Sequence, residues 1–200
     1  MISITELERR MRPGAWSEGG FLGQDERLED VLAADQRALA ELGITREEIV
    51  EPLALLVTAP STVIAEVDPD LVSSVKDRPE WEGVEQSLIE GRALVEQRFG
   101  VVEGVSWGVA RVGGRYEVET RSYIGFQECP WSPRQHGDLC ARDTTDWRIR
   151  DTWRALELEG PGLIRHLITE HGFFEGFESP YRVDPRALAE LLQLGPFAPS

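Results

Sequence analysis

The sequence predicts an α+β fold, with a mostly helical part over residues 1–100 and antiparallel strands with closing helices over residues 101–200, as two parts or one continuous domain. Three observations carry this. In the first half, Leu28, Val31, Leu32, Leu39 and Leu42 fall at helical spacing. Beyond residue 100, Tyr116, Val118, Thr120, Ser122 and Ile124 alternate as one face of a strand does. Between the runs 101–111 and 115–127 stands Gly113-Gly114, a hairpin turn signal.

The elements follow in order. Thr5 to Met11 reads as a short helix stopped by Arg12-Pro13-Gly14, followed by a Gly-rich loop to Gly23. A helix from Asp25 to Leu42 ends at Gly43. Thr45 to Glu48 is a capping box, in which each side chain accepts from the other residue's backbone N–H. It opens a helix to about Thr58, either kinked at Pro52 or restarted with Pro52 in its first turn. Residues 62–67 fit strand or helix, 68–82 read as irregular, and 84–99 read as a helix interrupted by Gly91. In the second half, 146–150 and 155–159 form a second hairpin. A helix follows from about Pro161 to His171, with Gly172 just past its end. The last helix has Asp184 as N-cap and Pro185 at its first position, and it stops at Gly195-Pro196.

Composition narrows the function classes. Residues 1–100 carry 21 acids against 10 bases, and residues 101–200 carry 15 against 11. Such an acidic surface repels phosphate backbones, so nucleic acid is a disfavoured partner. No apolar run approaches the ~20 residues that span a bilayer. The first dozen residues lack the apolar core of a secretory signal, so the expected location is cytoplasmic. Two cysteines in 200 residues do not make a disulfide scaffold.

The residues that carry chemistry are clustered. Both cysteines and all three histidines lie between positions 129 and 171. Cys129, Cys140, His166 and His171 supply two thiols and two imidazoles, a donor set suited to a closed tetrahedral zinc site. His136 is an alternative to one of the two later histidines. On an ideal helix, residues five apart are separated by ~140°, so both rings meet one ion only if the last turn changes shape. Tightening to 3₁₀ form ahead of Gly172 would achieve this.

This order, with a helix bringing two histidines to two thiols, loosely resembles the ββα plan of a Cys2His2 zinc finger over about 45 residues. The resemblance implies structural zinc. The chain departs from it in two ways: ten residues separate the cysteines, and the hairpin reads as following Cys140 rather than flanking the pair. His166 to His171 also resembles the H-x-x-E-H pattern of inverted zinc metallopeptidases, with Glu170 as base, but one extra residue spoils the register.

Other features point to packing. Phe173, Phe174, Phe177 and Tyr181 read as rings closing the core around the metal, with a docking patch as the alternative. Trp107, Trp131, Trp147 and Trp153 also read as core. Across 129–171 there are 6 bases and 7 acids, without the surplus positive charge of a nucleic-acid finger. The expected function is non-enzymatic: a zinc-scaffolded protein that binds an unidentified protein partner. The alternatives are a zinc-dependent hydrolase with an open metal position and a nucleic-acid-binding regulator.

Overall fold

The computed structural model describes residues 2–60, 105–132 and 140–199. The readings of 62–100 and of His136 lie outside the described residues. Within them the fold is α+β: helices α1 (Ile4–Met11), α2 (Leu28–Leu42) and α3 (Arg46–Thr58), strands β1 (Val105–Val112), β2 (Tyr116–Glu128), β3 (Arg142–Asp151) and β4 (Leu156–Pro161), then α4 (Ile164–His171), α5 (Pro185–Leu192) and a 3₁₀ turn at Gly195–Phe197.

The helix boundaries show which signals were local. The capping box at α3 forms as read: Glu48 N–H donates to Thr45 Oγ1 at 3.3 Å, and Thr45 N–H donates to the Glu48 carboxylate at 2.7 Å. Pro52 sits inside one continuous helix. By contrast, α2 begins at Leu28 rather than Asp25, because Glu8 of α1 accepts the Leu28 N–H at 2.9 Å and caps the helix from another element.

The strands form one antiparallel sheet in sequence order, β1-β2-β3-β4. Gly113 and Gly114 both take positive φ at the centre of a turn in which Arg115 N–H donates to Val112 O at 3.2 Å, within a three-residue connection between the paired Val112 and Tyr116. The register pairs Val118 with Ile149 and Ile149 with Leu158, which places Val118, Trp147 and Ile149 on one buried face. The opposite face pairs charge with charge: Glu119 lies across from Arg148, and Arg148 from Glu159. On the buried face, a side chain at Gly160 would come within 2.7 Å of both Trp147 and Val183, so the sheet needs glycine there to accept the indole.

Helices α3 and α5 pack on the buried face, α4 packs on α3, and α2 packs on α5. One continuous core runs from Leu7 and Met11 of α1 through Leu53, Val118, Trp147 and Ile168 to Leu188.

Two readings are corrected. Pro161 does not open α4. It pairs with Asp146 as the last residue of β4, and its carbonyl accepts the Trp147 indole N–H at 3.0 Å. A proline ending an edge strand and one opening a helix both dispense with a donor, so the residue type alone does not separate the two. Trp153 is not core but 71% exposed in the β3–β4 turn, whereas Trp147 is buried.

Candidate metal centre

The two cysteines flank the connection of the β2–β3 hairpin. The pair Glu128↔Arg142 closes the described ladder, and one step beyond it the Cys129 N–H donates to Ala141 O at 2.9 Å. The hairpin therefore surrounds the pair, contrary to the sequence reading. The polar start of β3, Arg142 to Thr145, has no apolar alternation to reveal a strand. Residues 129–132 fold into a tight turn, with Ser132 N–H donating to Cys129 O at 2.9 Å and Pro130 at the second position, where its fixed φ suits the turn. The Ser132 hydroxyl accepts the Cys140 N–H at 3.1 Å, which ties the second cysteine to the first turn.

Helix α4 supplies both imidazoles. The four donor atoms of Cys129, Cys140, His166 and His171 lie within 4.8 Å of one another. Cys140 Sγ is 3.1 Å from His166 Nε2, Cys129 Sγ is 3.3 Å from His171 Nε2, and Cys140 Sγ is 3.7 Å from His171 Nε2. A tetrahedral zinc ion with S and N ligands has S···N edges of about 3.5 Å. The observed separations bracket that value, so the donors can hold a metal ion in both chemistry and spacing.

The 3₁₀ tightening expected at His171 is not how the rings converge. The α-helix persists through His171 and ends at Gly172 in the left-handed conformation. Gly172 N–H donates to Ile168 O at 3.0 Å, and Phe173 N–H to Leu167 O at 3.1 Å. Side chains on a helix lean toward its N-terminus, which brings the His171 ring back over the turn carrying His166. Both rings use Nε2, the nitrogen farther from the backbone, and their centroids are 5.2 Å apart.

Burial sets the protonation states. It pushes the Cys129 thiol up to about 12, with the neighbouring Cys140 thiol adding to the rise. Burial, reinforced by His166, lowers His171 to about 4, and burial lowers His166 against the opposing pull of Glu170. Both imidazoles are thus neutral near pH 7 and offer a lone pair. The buried thiol needs a cation beside it to ionise, and a divalent metal supplies that charge.

Two supporting residues, Ser132 and Arg10, escaped the sequence reading, and a third, Trp131, was read there only as core. Trp131 stacks on His171, with centroids 4.0 Å apart and planes 7° apart, and meets Phe173 edge-on. Ser132 is fully buried beneath Cys140. Arg10 of α1, also buried, donates to Ser132 O at 2.7 Å and Pro130 O at 3.3 Å. The available signal for Arg10 was an arginine on the helix face shared with Leu7 and Met11. The aromatic run divides: Phe173 and Phe174 are buried behind the site, while Phe177 and Tyr181 are exposed.

No family model, curated protein or solved structure matches the chain. Among the described residues, no helix is long and apolar enough to cross a membrane.

Proposed function

We propose that this chain is a non-enzymatic protein that binds a protein partner, with one zinc ion as its scaffold. The observation that carries the reading is the convergence of four protein donors, two thiols and two imidazoles, within 4.8 Å. Four such ligands fill a tetrahedral shell and leave no position for a reacting water, which favours a structural over a catalytic ion. Two thiolates with two imidazoles also suit zinc better than the hard, oxygen-seeking cations. The scaffold would hold the mouth of the β2–β3 hairpin against α4. The hydrolase alternative needs an open metal position, and the nucleic-acid alternative works against the acidic charge.

The test is metal content by plasma mass spectrometry on tag-free protein purified without chelator. About one zinc per chain is expected, lost together with cooperative melting in Cys129→Ser and in His171→Ala. Metal-free protein with an unchanged melting curve would overturn the reading.

A further inference from the structure

The strands that lead into the two cysteines also shape a groove. Along β2 and β3 the ladder jumps from Ser122↔Thr145 to Gln127↔Asp143, so residues 123–126 of β2 stand opposite the single Thr144 of β3 as a long bulge, while Tyr123 still pairs with Val105 of β1. The bulge, the loop around Trp16 to Glu18 and the exposed Tyr181 line an open cavity of about 640 Å³. A second cavity of about 490 Å³ shares Arg121, Asp146 and Tyr181 with it and continues along the charged face of the sheet past Glu159. These volumes suit the side chains of a short bound segment.

The lining has a definite chemistry. Trp16, Tyr123, Phe126 and Tyr181 contribute four aromatic rings, and Phe126 is 56% exposed. In the first cavity Glu18, Asp143 and Asp146 contribute three carboxylates against Arg121, and in the second Glu119 and Glu159 add two carboxylates against Arg148. Rings and carboxylates together attract guanidinium and ammonium groups. The chain already uses three of these four rings that way: the Arg10 guanidinium lies 4.8 Å from the Trp16 centroid, that of Arg121 lies 4.6 Å from Tyr123, and that of Arg142 lies 5.3 Å from Phe126. Burial raises the Asp146 carboxyl above its ordinary value against the pull of Arg121, and the charges of Asp143 and Glu159 add to the rise.

We propose that this groove docks a cationic segment of a partner protein, an extended peptide that presents arginine or lysine to the aromatic rings and carboxylates. Charge complementarity selects this occupant, since an anionic segment would meet three carboxylates. The inference deepens the partner-binding reading and rests on it for the partner being a protein. It also assigns the metal a purpose, because Cys129 and Cys140 lie directly beyond the strand segments that form the bulge wall.

The experiment is fluorescence anisotropy on the full chain with a fluorescein-labelled octapeptide of alternating arginine and glycine, and with its glutamate counterpart. The arginine peptide should bind and the glutamate peptide should not. Glu18→Gln with Asp146→Asn should weaken binding about tenfold or more, and the exposed, charge-neutral change Phe126→Ala by roughly threefold or more. Glu47→Gln with Glu51→Gln removes the same two charges from the exposed face of α3 and should change binding by less than about twofold. Equal weakening by the two double variants, or no binding of the arginine peptide, would overturn the proposal. Zinc content on the same samples separates the two readings. A failed groove with one zinc retained leaves the scaffold standing, and metal-free protein that still binds the peptide removes only the scaffold.

Discussion

The two ends of the sheet are secured by opposite means. At one end, soft neutral donors from the β2–β3 hairpin and α4 gather around a place for a cation. At the other end, the protein supplies both charges itself. Asp151, fully buried at the close of β3, pairs with Arg115 from the β1–β2 turn and with Arg154 at 2.7 Å. Arg115 also donates to Gln193, and Arg154 to the carbonyls of Glu190 and Leu191 at the C-terminus of α5, where a cation meets the negative end of the helix dipole. Both devices tie strand ends to a closing helix. On the proposed zinc-scaffold reading the first depends on a dissociable ion, whereas the second depends on the carboxylate staying charged, so different reagents should undo them.

The largest effect expected is from chelation. A strong chelator should lower Tm by about 10 °C or more, because metal affinity counts as folding energy when the unfolded chain lacks the site. Scanning calorimetry with and without chelator checks this, and an unchanged Tm would erase the contrast between the ends. Asp151→Ala comes next. It strands Arg115 and Arg154 and should cost about 3 kcal/mol, or roughly 6–12 °C in Tm, equally with and without chelator. The paired arginines hold the Asp151 carboxyl below the ordinary carboxylate range. Its contribution is therefore complete above about pH 4 and lost as pH falls toward the folded value. Asp151→Asn should flatten that acid limb of a Tm–pH curve.

Glu175 sharpens the comparison as a third kind of buried charge site. It is fully buried with φ 68°, its Oε1 has no hydrogen-bond partner among the described residues, and burial pushes its carboxyl up to about 8 against the pull of Ser179 and Arg182. The Ser179 hydroxyl lies 2.6 Å from the Glu175 carboxyl and 3.0 Å from Gly20 O. Its single proton serves one of them, which suits a protonated Glu175 donating to Ser179. A raised pKa contributes stability that is full below the ordinary value of 4.5 and declines as pH rises through about 8. Glu175→Gln should remove that decline, gaining on the order of 1 kcal/mol at pH 8 and little at pH 5. Denaturant midpoints at the two pH values decide it, and an identical pH slope in the variant would show that Glu175 is not the titrating group. The smallest effect belongs to Trp131→Leu. Losing the stack on His171 should weaken metal binding by about 0.5–1.5 kcal/mol while the fold persists, as read by competition with a chromogenic chelator.

Much of this was legible in the residues. Helix periods, the Thr45–Glu48 box, the Asp184-Pro185 start of α5 and the Gly113-Gly114 turn all depend on neighbours a few positions apart, and each forms as read. The four donors were recognisable by type and clustering. Their scaffold was not. The start of β3 shows no alternation, so the hairpin around the cysteines stayed hidden, and the route by which His166 and His171 converge was misread as a tightened turn.

Sequence by itself determined the α+β class, the local helix signals and the identity of the metal-capable residues, because propensity, capping and donor chemistry act over a turn or less. Tertiary structure alone decided that Glu8 caps α2, that Pro161 ends a strand, and that Arg10 holds the carbonyl of Ser132, 122 positions away. Each of these satisfies a backbone group with a partner from another element, and no local pattern records which distant partner the packed core will bring within hydrogen-bond reach.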